Sequence, residues 1–266
     1  MTPPAPRVPP PDAWLGQTRY RDPVDLKKLR FLISALSAIG PLPLDILEVG
    51  CGSGNISRPL AWLGHRVLAT DIDAASLEFM RLQDLPSTLQ LEQAGLTELP
   101  AGRRFDAIIA SEVLEHVDDP AAALAAFRGA LTSRGLVLVT IPNGQGPWEI
   151  GQALSPRRAA GWLARKTGIY QPVKKVLGVR REERDAETST FNFESPHLQH
   201  FTLKRFETMC RRAGYDIRRR QHSDGPLTFF PGGRRISWLA RADCRLVDRL
   251  PHWLASGWYF VLAPRP

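Results

Sequence analysis

The chain has 266 residues and is 43% hydrophobic, enough to bury the core of one α/β domain with embellishments. No apolar run approaches the roughly eighteen residues of a membrane span, and the first eleven residues hold six prolines rather than an apolar signal core. The net charge is +8, and the three cysteines (Cys51, Cys210, Cys244) stand far apart without a C-x-x-C spacing, which excludes a zinc ribbon and a disulfide framework and makes a reducing cytoplasm the expectation.

The positive charge is mostly arginine, in clusters such as Arg157-Arg158, Arg180-Arg181, Arg211-Arg212, Arg218-Arg219-Arg220 and Arg234-Arg235. Such clusters suit an anionic partner (RNA, a phosphorylated substrate or a lipid surface), or are simply basic solvated faces. Composition alone leaves the two open.

In chain order, residues 1–22 read as a disordered proline-rich arm. Val24 to Ile39 carries apolar residues at 26, 29, 32, 33, 36 and 39, a helical spacing that Gly40-Pro41 stops. Tyr20 and Arg21, just ahead of this helix, are candidates for ligand contact that the sequence alone does not establish.

The stretch Leu44-Asp-Ile-Leu-Glu-Val-Gly-Cys-Gly-Ser-Gly54 then runs from a short strand into three glycines at every second position. An amphipathic run, Ile56 to Leu63, follows. Strand, glycine turn and helix let the backbone approach a nucleotide-like ligand with no Cβ in the way. A second apolar run, Arg66 to Thr70, ends in Asp71, twenty-one residues after Gly50, where an α/β nucleotide fold places the carboxylate for ribose hydroxyls.

From there strand and helix alternate: strands at 44–49, 66–70, 88–93, 105–110 and 135–141, and helices at 55–63, 74–82 and 119–131. Alanine-rich Pro120 to Phe127 has high helix propensity, and Asp118 and Asp119 suit its N-terminal dipole. Residues 143–196 break the alternation with a basic amphipathic stretch, Arg157 to Val179, and a polar run, Arg180 to Thr190. An insertion at this place sits beside the strand C-termini and is expected to act as a substrate lid.

Phe201 to Gly214 reads as a helix with Thr202 as N-cap, followed by strands at Tyr215–Gln221 and Trp258–Ala263. Between them, residues 222–257 hold Phe229, Phe230, Ile236, Trp238, Leu239, Leu246, Val247, Leu250 and Trp253. Core packing, a second lid, a dimer patch and an amphipathic membrane-surface helix all remain open for this stretch.

Leu47-Glu-Val-Gly-Cys-Gly-Ser-Gly54, together with Asp71 and the strands behind it, resembles the first motif of class I S-adenosylmethionine (SAM) methyltransferases. The resemblance covers about residues 44–142 and, more loosely, 196–221. It implies a doubly wound, Rossmann-like α/β sheet of seven strands with an antiparallel edge and helical insertions at about 143–196 and 222–257. It implies SAM as cofactor, with Glu48 near the methionine ammonium and Gly50, Cys51, Gly52 and Gly54 along the amino-acid and ribose portions. Asp71 would accept both ribose hydroxyls, Ile72 would lie on the adenine, the Leu96 backbone would serve the ring, and Ser111 would touch the cofactor. Where family members carry an acid for the adenine amine this chain has Gly95, with Glu98 as a replacement.

Ser111-Glu-Val-Leu-Glu-His-Val117 is the most discriminating local pattern. If the chain turns helically there, Glu112, Glu115 and His116 share a face. Two carboxylates and an imidazole suit Mg2+ or Mn2+, which would lower the pKa of a bound hydroxyl. The E-x-x-E-H spacing resembles metal-assisted O-methyltransferases of ubiquinone synthesis and of small-RNA 3′ ends, which add a later histidine; His197 matches, with His200 as the alternative. A metal-free acid/base role for His116, His197 or His200, and a structural role, are the competing readings. The leading expectation is O-methylation of a small molecule or of a glycolipid or quinone-type acceptor, in the cytoplasm or peripheral to the inner face of a membrane. An RNA methyltransferase is the second reading, weakened by the lack of a recognisable RNA-binding module. A non-catalytic SAM-fold protein at a membrane surface is the third.

Overall fold

The computed structural model describes residues 9–146, 197–228 and 236–266. Its seven strands are β1 (Asp45–Val49), β2 (Arg66–Asp71), β3 (Leu89–Gln93), β4 (Phe105–Ser111), β5 (Leu131–Pro142), β6 (Tyr215–His222) and β7 (Gly257–Pro264). They form one sheet in the order β3-β2-β1-β4-β5-β7-β6. β1 to β5 pair in parallel, and β7 runs antiparallel to both β5 and β6, so the antiparallel edge is a two-strand ribbon with β6 outermost.

The six α-helices described are α1 (Pro23–Ser37), α2 (Ser57–Trp62), α3 (Ala74–Arg81), α4 (Pro120–Ala130), α5 (Leu203–Arg212) and α6 (Ser237–Leu246). Asp22, Asp73, Asp119 and Thr202 each accept from backbone N–H groups of the first turn, as N-caps do. The strand period of two splits β1 between two cores: Ile46 faces Leu29, Leu32, Ile109 and Tyr259, whereas Leu47 and Val49 face Phe127, Phe206 and Phe260. A sheet buried on both faces explains why its inner strands read as continuous apolar runs.

β5 begins at Leu131, earlier than the expected 135, because its first residues continue the pairing with β4 through a register shift between Phe105 and Ala107. Gly135 makes the close approach possible, since a Cβ there would stand 2.8 Å from the Phe105 carbonyl oxygen.

Residues 9–22 are not the disordered arm expected from their prolines. They form two short 3-10 turns, Pro11–Ala13 and Leu15–Gln17, and bury Trp14 (1% exposed) and Tyr20 against the core that holds α1. Proline suits the first turn of a helix, and the buried indole offsets the entropy of ordering the segment.

The lid expected of residues 143–196 lies, beyond Gly146, outside the described residues, as do Phe229 and Phe230. The stretch after β6 is in part core. α6 buries Ala240, Asp243 and Cys244, and Asp243 accepts from Gly225 N–H (2.6 Å) and Leu227 N–H (3.2 Å), pinning the loop that leaves β6. Lys27 of α1 donates to the Cys244 carbonyl (2.7 Å) and pairs with Asp248 (3.0 Å). No helix among the described residues is long and apolar enough to cross a membrane.

Candidate active site

The glycine bend leaves β1 with Gly50 at φ 67°, Gly52 at 51° and Gly54 at 79°, left-handed values that only glycine takes without strain. Crowding reinforces the choice at Gly50, where a Cβ would stand 2.6 Å from Val113 Cγ2, whereas at Gly54 it would meet the flexible end of Met80, Cε, at 2.5 Å.

Parallel pairing of Val49 with Thr70 brings the tip of β2 beside the bend. Gly52 N–H donates to Asp71 Oδ2 at 2.7 Å, and Asp73 N–H donates to Asp71 Oδ1 at 2.9 Å. Each carboxylate oxygen keeps lone-pair capacity for a further donor such as a ribose hydroxyl. Ile72, next in the chain, is 70% exposed and offers an apolar surface to a flat ring. Cys51 is buried, and burial pushes its thiol well up, so it is no nucleophile at neutral pH.

Glu48 lies at the end of β1, 2% exposed, with no hydrogen-bond partner for Oε2. Burial pushes its acid up to about 8, against the pull of Ser57. Lys28 of α1, also buried, sits over the Tyr20 ring (5.4 Å) and pairs with Asp25 (3.7 Å). Tyr20 is itself pushed up to about 12 by burial, with Lys28 opposing.

The segment before α1 closes on the bend: Arg19 N–H donates to Asn55 Oδ1 (2.9 Å), and the Arg19 guanidinium lies 4.3 Å over the Phe79 ring. Thr18, Asn55 and Lys28 were not singled out from sequence. The available signal was a pair of aromatic residues, Trp14 and Tyr20, inside a stretch otherwise too proline-rich for a core.

After β4 the expected helical face does not form. Glu112 takes φ 56°, and the turn behind it is a single 3-10 turn, Leu114–His116. The Glu112 carboxylate is drawn off to Thr140, whose hydroxyl donates to Oε1 at 2.7 Å, and Ser111 Oγ lies 2.9 Å from the same Thr140 oxygen. Glu112 is therefore not part of the cluster that does form.

That cluster is Glu115, His116 and His197, which offer one ligand atom apiece within 4.8 Å of one another. The His116 and His197 rings meet edge to face at 4.9 Å. The Glu115 carbonyl accepts from Leu198 N–H (2.8 Å) and Gln199 N–H (2.9 Å), which draws the distant segment onto the turn. Glu115 is 1% exposed with Oε2 unpartnered, and burial, then the nearby Glu112 charge, hold its acid well above the usual range. His200 stands apart, exposed and packed by its backbone against Gly144. On the β3 side, Glu98 folds back so that Oε2 accepts from Gly95 N–H at 3.0 Å, while Leu96 is half-buried against the core.

A doubly wound sheet in this order, with a glycine bend held against a β2 carboxylate, defines a class I SAM-dependent methyltransferase. The chain belongs to the methyltransferase-domain family, whose model matches residues 19–219. Among curated relatives, a ubiquinone biosynthesis O-methyltransferase of Cereibacter sphaeroides is 34% identical over 131 residues, covering 47% of this chain and 51% of that one. One of Brucella ovis is 31% identical over 159 residues, covering 56% and 60%. The chain thus spans about half the length of the curated relatives it matches. In three dimensions it is similar to a SAM-dependent methyltransferase of Clostridium acetobutylicum (TM-score 0.57, 12% identity, 91% of this chain and 92% of that one). It is also similar to the magnesium protoporphyrin IX methyltransferase of Synechocystis with bound S-adenosylhomocysteine (TM-score 0.55, 15% identity, 91% and 84%). At these identities the likeness is one of fold.

Proposed function

We propose that the protein transfers the methyl group of SAM to a hydroxyl oxygen of a small or lipid-linked acceptor. The carrying observation is the Glu115–His116–His197 cluster, which lies beyond the C-terminal end of β4, on the same sheet edge as the glycine bend and Asp71. That the similar proteins of Cereibacter sphaeroides and Brucella ovis are O-methyltransferases supports oxygen over nitrogen.

Asp71 takes the ribose hydroxyls, Gly50 to Gly54 leave room for the amino-acid portion, Ile72 and the Leu96 backbone flank the adenine, and Glu48 faces the methionine ammonium. In the in-line displacement the S–CH3 bond breaks as the O–CH3 bond forms, leaving S-adenosylhomocysteine. The hydroxyl proton passes to a neutral imidazole, His116 or His197. The same residues fit a divalent ion: the buried, unpartnered Glu115 Oε2 is an acceptor without a donor, and two imidazoles lie beside it. One carboxylate and two imidazoles suit Mn2+ more than Mg2+, which prefers oxygen-rich sites. A bound ion would supply Lewis-acid lowering of the acceptor pKa.

The test is methyl-labelled SAM with a panel of hydroxylated aromatics and matched amines, read by product mass. Methylation of the hydroxyl compounds alone supports the proposal, and methylation of the amines alone overturns it. His116→Ala or His197→Ala is expected to lower kcat by about 10²–10⁴-fold while SAM binding stays close to the parent's. Full activity in excess chelator assigns the cluster to acid/base work; loss restored by Mn2+ assigns it to a metal.

Cofactor affinity is expected to depend on pH through Glu48. The empty folded protein holds this proton up to about pH 8, whereas the unfolded chain releases it near 4.5. The group's stabilising contribution is therefore full below pH 4.5 and is lost as pH rises through about 8. An arriving ammonium favours the carboxylate, so binding expels a proton and affinity rises with pH by up to about tenfold per unit until near 8, where the ligand's own amine begins to titrate. Calorimetric titrations at several pH values should show this rise, and Glu48→Gln should flatten it. A rise unchanged in Glu48→Gln would remove Glu48 from the role.

A further inference from the structure

The apolar surface that the sheet leaves uncovered is concentrated after β6. Of the large hydrophobic side chains exposed among the described residues, Ile236 (45%), Trp238 (67%), Leu246 (47%) and Trp253 (60%) fall within one short stretch. α6 accounts for the direction of Trp238 and Leu246. Its inner face carries Ala240, Asp243 and Cys244, with Val247 just beyond, which leaves Trp238, Arg241, Arg245 and Leu246 on the outer arc at helical spacing.

The outer arc holds no carboxylate. Asp243 is buried under the loop after β6, and Asp248 is turned to Lys27, His222 N–H and Gln221. Arg249 follows, exposed. A tryptophan at each end, aliphatic side chains between them and three exposed arginines, with Asp248 the one exposed acid among them and already held by Lys27, match the interface of an anionic bilayer. There indoles sit at headgroup depth and guanidinium groups meet phosphate.

We infer that α6 and the turns after it, with Trp238 and Trp253 as anchors and Arg241, Arg245 and Arg249 as the charged rim, dock the protein on an anionic phospholipid surface. Topology gives the docking a use. β6 ends at His222 and β7 starts at Gly257, paired with Pro142 at the end of β5. The two ends of this connection therefore lie on the sheet edge that carries the glycine bend, Asp71 and Glu115, and a surface held there places that edge toward a lipid-linked acceptor. The docking does not depend on which acceptor is methylated, because vesicle binding is read without methyl transfer.

The test is co-sedimentation of the full chain with vesicles of phosphatidylcholine alone or mixed with phosphatidylglycerol, at low and moderate salt. Binding should require the anionic lipid and weaken with salt. Trp238→Ala with Trp253→Ala keeps the charge and should lower partitioning at least about tenfold. Replacing Arg241, Arg245 and Arg249 with Gln should lower it about fivefold per arginine, whereas replacing Arg211 and Arg212 with Gln should lower it far less. Unchanged melting and SAM binding in each variant keep folding out of the comparison. The inference is overturned if the parent fails to bind anionic vesicles at low salt, or if the tryptophan variant binds as well as the parent. It is equally overturned if losing Arg211 and Arg212 costs as much as losing the rim. A concentration-dependent dimer that the tryptophan variant disperses, without vesicle binding, would give the face to a second copy instead.

Discussion

Asp71→Ala is expected to weaken SAM and S-adenosylhomocysteine binding by about 10–100-fold, since hydrogen bonds to an ionised carboxylate contribute on the order of 1.5–3 kcal/mol. The aspartate joins the two halves of the cradle, because Oδ2 holds Gly52 N–H at 2.7 Å and Oδ1 holds Asp73 N–H at 2.9 Å. Its removal therefore loosens the bend as well as the ribose contact. Asp71→Asn separates these effects: the amide oxygen can still accept from one backbone group, but the charge is gone. Calorimetry of both variants with both ligands, alongside thermal melts, reads the two contributions. Parent-like affinity in Asp71→Ala would mean that adenosine does not lie at this edge of the sheet.

The second large effect is expected at the glycines. Gly54→Ala must hold φ near 79° and push its methyl against Met80 Cε at 2.5 Å; Gly50→Ala must hold φ near 67° against Val113 Cγ2 at 2.6 Å. Left-handed strain costs about 1–2 kcal/mol and overpacking about 1–3 kcal/mol. A melting point lower by roughly 5–12 °C is expected for Gly50→Ala, with a smaller drop for Gly54→Ala, where the flexible end of Met80 gives way more readily. Cofactor binding should suffer beyond that loss, because a displaced bend also displaces the Gly52 amide from Asp71. Gly129→Ala in α4 is the contrast. Nothing lies within 4 Å of a new Cβ there, so helix propensity makes the change neutral or stabilising by up to about 1 kcal/mol. Equal melting of Gly54→Ala and the parent would show that Met80 yields freely and that the bend tolerates a side chain.

The charge distribution gains meaning only once the fold is known. Arg220 pairs with Glu207 at 2.8 Å, Arg265 with Asp216 at 2.8 Å, and Arg219 lies over the Phe31 ring. Much of the arginine on the β6 edge is thus held by the protein's own side chains. Arg241, Arg245 and Arg249 differ: they share the stretch with the exposed tryptophans and, among the described residues, no carboxylate pairs with them, which is why the anionic partner is assigned to that face.

What the chain's order of residues determined by itself is the part set by local chemistry. Period-two and period-3.6 apolar spacing, aspartate and threonine caps, and glycines at every second position after β1 settle strands, helices and the bend within a few residues of one another. Hence the seven strands and the facing of Gly52 and Asp71 were legible before any coordinates. Tertiary structure alone decided what depends on partners far away in the chain. Trp14 found a core that its proline-rich neighbours did not announce, and Thr140 drew Glu112 out of the cluster. The Glu115 carbonyl captured the segment bearing His197, and α6 turned one face inward and left Trp238 outside. No residue's own preference encodes those outcomes, because each arises when a distant backbone or side chain supplies the hydrogen bond or the buried surface that the local sequence lacks.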